Sequence, residues 1–427
     1  GIFGFVAPKP LPATLVVDAL RTLEYRGYDS WGIAYASQRD RMSTLIVDKH
    51  AGRIPAATAA YGATTIALGH TRWATHGGVT DENAHPHLDC SGTLAIVHNG
   101  IIENYRVLRE ALERRGHRFR SDTDSEVFAH LLEEILAASH TVEPNGTDPA
   151  DGHRLVQAVR QAFAQVRGLN AFIVLHLPSQ QLVAVKSTSP LVIGIGRDGV
   201  FVSSDAVALV GHAQRVHYVS DEEIVLLRQD GPLFFDRCTG APTEPRWEHL
   251  TLRPADTSLG GYPHYLIKEI HEQPRVIERI IRNRLDGARQ LAELIRQSYG
   301  TFLVGCGTAG YAALCGSYLF SRIARRHVNA VIASEFKYQE HFLTDRSLVI
   351  ALTQSGETVD VIEAVQAAKR RGARVAALVN VTGSTVDRLA DFTVPLSAGP
   401  EQSVLSTKAY TAKLAVLLLA AHILNGR

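Results

Sequence analysis

Leu348-Val349-Ile350-Ala351-Leu352-Thr353-Gln354-Ser355-Gly356-Glu357-Thr358 reads as a strand that runs into a hydroxyl-rich turn and then, over Val359–Arg371, into a helix. The strand is a continuous apolar run, the form taken by strands covered on both faces of a parallel sheet. Runs of the same kind lie at Thr301–Val304, Asn329–Ala333, Val375–Val379 and Phe392–Pro395, alternating with helical stretches. From about residue 286 onward the sequence therefore predicts a doubly wound α/β domain. The turn carries the chemistry. Hydroxyls and backbone N–H groups at a helix N-terminus bind a phosphate dianion with little need for lysine, whereas capping a helix needs only one hydroxyl. The hydroxyls of Thr353, Ser355 and Thr358, opposite the glycine loop Gly305-Cys306-Gly307-Thr308-Ala309-Gly310, favour a phosphate. That glycine loop lacks the Gly-Lys-Ser/Thr end of a Walker A motif. As a dinucleotide loop it has no clean acidic partner after the next strand, Glu335 lying only nearby.

The first ~240 residues read differently. Strand-like runs at Ile66–His70, Leu94–His98, Ala171–Leu177, Leu182–Lys186, Gly199–Ser203 and Glu223–Leu227 are interleaved with helical patterns at Leu11–Leu23, Asn104–Arg115, Asp124–Ala138 and His153–Gln165. The third helix is preceded by a capping-box-like Thr123 to Glu126. Gly240–Gly261, with Pro242, Pro245 and Pro254, reads as a linker; Pro263–Arg282 reads as a helix that Pro274 would kink or split. The expected organisation is an α+β domain over 1–240, a linker and connecting helix over 241–285, and the α/β domain over 286–427.

Composition narrows the class. With 44 basic and 43 acidic residues interspersed and a net charge of +1, no nucleic-acid-binding stripe is expected. Cys90, Cys238, Cys306 and Cys315 form no CxxC pair, which suits a reducing, cytoplasmic setting. The longest apolar stretch, Leu414–Leu424, is too short to span a bilayer, so no membrane association is expected.

In the first domain, Thr71-Arg72-Trp73-Ala74-Thr75-His76-Gly77 packs a guanidinium, an indole, hydroxyls and an imidazole into one post-strand loop. Arginine suits a carboxylate because its planar fork can bind it bidentately. His98-Asn99-Gly100 offers an amide donor beside an unobstructed N–H, the parts of an oxyanion hole, although Asn-Gly is also a turn signal. Asp124 places a carboxylate at a helix start, where a plain cap would look the same. His70, His76, His85, His87 and His98 match no metal-ligand spacing, so no metal is expected, and His85-Pro86-His87 reads as a rigid turn.

Together with Gly1-Ile2-Phe3-Gly4 and Leu23-Glu24-Tyr25-Arg26-Gly27-Tyr28-Asp29-Ser30, these blocks resemble the class II glutamine amidotransferases over roughly residues 1–240. The resemblance implies the four-layer αββα fold of N-terminal nucleophile enzymes. It implies that Arg72 holds the glutamine α-carboxylate, Asp124 its α-ammonium, Thr75 and His76 line the pocket, and Asn99 and Gly100 stabilise the oxyanion. Trp73 would stand at the ammonia exit, with Arg26 and Asp29 shaping the loop by the nucleophile. That nucleophile is expected to be a cysteine immediately ahead of Gly1, acting with its own α-amino group as base. Gly1 has no side chain, and Cys90, being internal, has no such amine.

The glycine loop, the Gln-Ser-Gly-Glu-Thr turn and Ser406-Thr407-Lys408-Ala409-Tyr410 resemble a sugar isomerase (SIS) domain over about 286–427. By that pattern Thr308, Thr353, Gln354, Ser355 and Thr358 hold phosphate and sugar hydroxyls, with Val404 nearby. Ala309 and Thr353 stand where serine is usual; losing one hydroxyl weakens phosphate binding by about 1 kcal/mol. The pairing of the two domains is similar to the glutamine–fructose-6-phosphate aminotransferase (isomerizing) family, the glucosamine-6-phosphate synthases of amino-sugar biosynthesis. Membership implies glutamine and fructose 6-phosphate as substrates, no cofactor, a homodimer, and a second SIS domain carrying the isomerisation base. The alternatives are a nucleophile-less sugar-phosphate sensor, another class II amidotransferase and a dinucleotide-dependent enzyme. The second lacks support because no acidic phosphoribosyl loop is present.

Overall fold

A computed structural model describes residues 1–39, 42–57, 60–138 and 150–426. The chain divides into two compact units, Gly1–Thr257 and Ser258–Arg427.

The first unit is built on two antiparallel sheets. In spatial order one sheet contains β15 (Glu248–His249), β11 (Arg215–Tyr218), β9 (Val192–Ile195), β10 (Val200–Ser203), β1 (Ile2–Pro12), β4 (Ala63–Arg72), β2 (Ser30–Arg39) and β3 (Met42–Ala51). The other contains β14 (Pro242–Thr243), β13 (Gly231–Asp236), β12 (Glu223–Arg228), β8 (Gln181–Lys186), β7 (Asn170–His176), β6 (Leu94–Gly100) and β5 (His87–Leu88). Period-two alternation explains how they stack. Ile2 and Val6 of β1, Ile66 and Leu68 of β4, and Ala95 and Val97 of β6 meet in one core between the sheets. Phe3 and Phe5 of β1 and Ala67 of β4 point the other way, under α1 (Thr14–Thr22). Leu94 and Ile96 turn outward under α2 (Tyr105–Arg114), α3 (Glu126–Ala138) and α4 (Ala150–Phe163). The result is the expected αββα layering.

The segment expected as linker and connecting helix is shared between the units instead. β14 and β15 pair into the two sheets, and α5 (Pro254–Thr257) ends the first unit. The proline-rich sequence still pairs because Pro242 and Pro245 fall on or beside a two-residue edge strand, where a missing N–H costs little. In the second unit α6 (Tyr265–Asn283) is one helix running through Pro274, not two. It packs Val276 and Ile280 into the core with α7 (Leu285–Gln297). The connection at 139–149 lies outside the described residues.

That second unit has a five-stranded parallel sheet in the order β17 (Asn329–Ile332), β16 (Gly300–Gly305), β18 (Ser347–Leu352), β19 (Arg374–Val379), β20 (Phe392–Pro395). α6, α7, α8 (Thr308–Leu319) and α11 (Lys408–Leu424) cover one face, and α9 (Val359–Arg370) with α10 (Thr385–Leu389) covers the other. The order reverses between β16 and β18. In open α/β sheets ligands bind in the crevice beyond the strand ends at such a switch point.

Candidate active sites

In the first unit the site grows from adjacent strand ends. Gly1 is pinned at the end of β1: its amino nitrogen donates to the Thr71 carbonyl at 2.6 Å and its carbonyl accepts from Thr71 N–H at 2.8 Å. Ile2 N–H donates to Ser204 Oγ at 2.9 Å. Arg26 and Tyr25 both donate to Asp205 Oδ2, at 2.7 and 2.5 Å. Burial alone would raise the Asp205 carboxyl; the Arg26 charge overcomes it and holds Asp205 below the usual carboxylate range. Ser204 and Asp205 escape a reading of the sequence because Ser-Ser-Asp after a strand looks like any turn.

β4 delivers His70, Thr71 and Arg72, and β6 delivers Asn99 and Gly100. The two sheets are joined here by His70 Nε2–H donating to Asn99 Oδ1 at 3.0 Å. Burial keeps His70 neutral, so its single proton is directed at that oxygen and the Asn99 amide NH2 is turned away from it. Gly100 sits at φ +134°, and a Cβ there would meet the Leu169 carbonyl oxygen at 2.1 Å. Only glycine fits.

Asp124 accepts from the Ile102 N–H at 2.7 Å, which fixes its buried carboxylate just beyond Asn99-Gly100. The expected capping box is not formed: Thr123 Oγ1 pairs with His87 Nε2 at 3.0 Å, and Glu126 accepts from the Arg120 and Ser121 N–H groups, both at 2.7 Å. A local reading misses this because His87 is remote in sequence. His87 and His98 thus serve the Asp124 loop. His98 bonds Ser125 Oγ at 2.8 Å and stacks on Phe172, while burial holds His85, His87 and His98 low and uncharged.

The Arg72 guanidinium donates to the carbonyls of His76, Gly77 and Gly78, closing the 73–78 loop on itself. Its charge is also felt by Asp124 and Asp29. Asp29 accepts from Ala74 N–H at 2.9 Å and so holds the start of that loop. His76 packs edge-on against Tyr105, with Thr75 beside it in the chain. Trp73 is half exposed and packs against Tyr28.

In the second unit the switch-point crevice holds a cavity of about 140 Å³ lined by Thr308, Thr353, Gln354, Ser355 and Thr358, together with Cys306, Ser406 and Lys413. The N-termini of α8 and α9 both open on it. Thr353 Oγ1 accepts from Gly356 N–H and Ser355 Oγ from Glu357 N–H, each at 3.1 Å, which shapes the turn and leaves both hydroxyl protons available. Thr358 precedes α9 without capping it. Gly356, at φ +71°, lies so close to Ser384 that a Cβ would overlap its Oγ. Val404 is exposed and does not line the cavity. Lys413, in the second turn of α11 and fully buried, is not signalled by the sequence because a lysine in a helix ordinarily reads as a surface residue. Burial lowers its ammonium to about 8.

Comparison with known proteins agrees with this division. A "Glutamine amidotransferase domain" family matches residues 32–143 and a "SIS domain" family matches residues 294–423. A glutamine–fructose-6-phosphate aminotransferase [isomerizing] of Thermus thermophilus is 41% identical over 99% of this chain and 68% of its own length. The protein of that name from Thermococcus kodakarensis is 40% identical over 99% of this chain and 68% of its own length. This chain belongs to the glutamine–fructose-6-phosphate aminotransferase family.

Among solved structures, the C-terminal domain of a glucosamine-fructose-6-phosphate aminotransferase from Francisella tularensis is 30% identical over 40% of this chain and 50% of that chain, with a TM-score of 0.37. Glutamine phosphoribosylpyrophosphate amidotransferase from B. subtilis is 17% identical over 92% of this chain and 90% of that chain, with a TM-score of 0.45. For an aminotransferase of this family, the two sites described above lie one in each unit.

Proposed function

We propose that the protein forms glucosamine 6-phosphate from glutamine and fructose 6-phosphate, feeding amino-sugar (UDP-N-acetylglucosamine) synthesis. The observation that carries this reading is the convergence of Thr308, Thr353, Gln354, Ser355 and Thr358 on one switch-point cavity, in a chain whose other unit assembles Gly1, Asn99-Gly100 and Asp124 at adjoining strand ends. In the first unit, a cysteine directly ahead of Gly1 attacks the glutamine carboxamide. The Asn99 amide and the Gly100 N–H take the charge that develops on the carbonyl oxygen. Arg72 and Asp124 bind the carboxylate and ammonium of the amino acid, with Thr75 and His76 as pocket walls and Trp73 at the exit. Because the thioester left after ammonia departs must be hydrolysed, glutamate is the second product.

In the second unit the hydroxyls and helix N-termini around the cavity receive the phosphate of the sugar. Lys413 adds a cation at its floor. The protein is further read as a cytoplasmic homodimer without cofactor. No helix among the described residues is long and apolar enough to cross a membrane, which is compatible with that setting.

The test is made on the protein expressed from its whole reading frame. Glutamate release from glutamine should be stimulated by fructose 6-phosphate, glucosamine 6-phosphate should accumulate, and the residue ahead of Gly1 should read as cysteine. Fructose 6-phosphate failing to bind, or binding no better than free phosphate, would overturn the assignment.

A further inference from the structure

We propose that the first unit carries a structural site for a tetrahedral, zinc-class divalent cation formed by Cys90, His117, His130 and Glu133. One ligand atom from each of the four lies within 4.8 Å of all the others. Cys90 Sγ is 3.8 Å from His117 Nδ1 and 3.5 Å from His130 Nδ1. Glu133 Oε2 is 3.0 Å from His117 Nδ1 and 3.4 Å from His130 Nδ1. A tetrahedral zinc ion with Zn–N of about 2.0 Å and Zn–S of about 2.3 Å needs S–N edges of about 3.5 Å and N–O edges of about 3.3 Å. These four of the six edges lie within about 0.3 Å of those values, and the other two lie within 4.8 Å, so a tetrahedral ion is accommodated by a modest closing of the cluster.

The surroundings match what a metal ligand set needs. His130 is fully buried and aims Nδ1 into the cluster, while its Nε2 faces the buried Glu126 carboxylate at 3.5 Å. A carboxylate behind a ligating imidazole keeps the proton on the outer nitrogen and the lone pair on the inner one. The Arg118 N–H donates to Cys90 Sγ at 3.4 Å, a contact that stabilises a thiolate. Thiolate and imidazole ligands select zinc over magnesium or calcium, and no water-filled fifth position is required for a structural role. His130 and Glu133 lie on one face of α3, at i and i+3, whereas Cys90 follows β5 and His117 follows α2. The four are scattered in sequence, so spacing could not reveal them. Loading the site releases the Cys90 thiol proton and any proton held on the two Nδ1 atoms to solvent.

The ion would tie the end of β5, the turn after α2 and the body of α3 together. Those elements flank the segment that presents Asp124, so the site's role is to hold that segment rather than to act on substrate.

The experiment uses tag-free protein, stripped with chelator, incubated with ZnCl2 or CoCl2 and desalted. The expected result is about one zinc retained per chain, and with cobalt a sulfur-to-metal charge-transfer band in the near ultraviolet beside intense tetrahedral visible bands. Cys90 is exposed, so Cys90→Ser should fold normally while losing the charge-transfer band and weakening zinc at least about a hundredfold in competition with a chromophoric chelator. His130→Asn gives a second, independent ligand loss. Failure to retain zinc, together with no charge-transfer band, overturns the proposal. So does retention that neither substitution changes, because the metal would then sit elsewhere.

Discussion

Replacing Lys413 with methionine should make the protein more stable and a worse sugar-phosphate binder at the same time. Lys413 is fully buried, its only hydrogen-bond partner among the described residues is the Ala409 carbonyl at 3.3 Å, and burial lowers its ammonium from 10.5 to about 8. A difference of that size is a cost of about 3 kcal/mol to the folded state wherever both states are protonated. Methionine has a similar length and no charge. With about 1 kcal/mol returned to the lysine by its carbonyl bond, the net gain at pH 7 is about 2 kcal/mol. For a unit of this size that corresponds to a rise in Tm of about 4–8 °C. The pH dependence carries the sign. Below pH 8 the lysine is charged folded and unfolded, so its full cost applies. Between about 8 and 10.5 the folded state releases its proton first, the unfolded state binds more protons, and wild-type stability rises with pH. The K413M curve should lack that rise. In the cavity, loss of a cation facing a phosphate should weaken fructose 6-phosphate about ten- to a hundredfold by calorimetric titration. Wild-type affinity should itself decline as pH passes 8. A K413M protein that melts lower at pH 7 and binds fructose 6-phosphate as tightly as wild type would refute the reasoning.

Other substitutions separate the remaining parts. Gly100→Ala forces a Cβ against the Leu169 carbonyl at a positive φ and should cost at least about 2 kcal/mol in urea unfolding, with loss of glutamate release. Asp205→Asn leaves the half-buried Arg26 charge without its carboxylate partner and should destabilise the first unit by about 1–2 kcal/mol. In wild type the contribution of Asp205, whose carboxyl is depressed when folded, is present above the ordinary carboxylate pKa and lost as pH falls through its folded value. The acid arm of the stability curve should therefore be shallower in D205N. Thr358→Val removes a hydroxyl that does not cap α9, so fructose 6-phosphate affinity should fall about fivefold while Tm stays unchanged.

The parallel sheet was legible because its strands are unbroken apolar runs, and all five appear within a residue or so of where Thr301–Val304 and its counterparts read. In the first unit β6, β7 and β8 were visible for the same reason. β2 and β3 were not: Ser30–Arg39 mixes small and polar residues although Ser30–Ala36 are buried inside the sheet, and Met42–Ala51 is an edge strand that carries polar and charged residues and stays partly exposed. The site motifs could be read as blocks, since Arg72, Asn99 and Asp124 each sit beside a strand or helix end. Their joints could not. His70 to Asn99, His87 to Thr123 and Arg26 to Asp205 cross 29, 36 and 179 positions, and no local periodicity encodes such a pair.

With Asn99 as the oxyanion donor proposed above, its hydrogen bond from His70 couples catalysis to alignment. It is made between two sheets that otherwise meet through interdigitated Ile, Leu, Val and Ala side chains, so the aim of the Asn99 amide depends on the stacking distance and offset of the whole sandwich. The interior acts as a gauge block for the donor. Truncating Leu68 or Val97, neither of which is a site residue, lets one sheet settle against the other. On the proposed assignment of glutamine binding to Arg72 and Asp124, the turnover number should then register a change in packing that a glutamine-binding measurement does not.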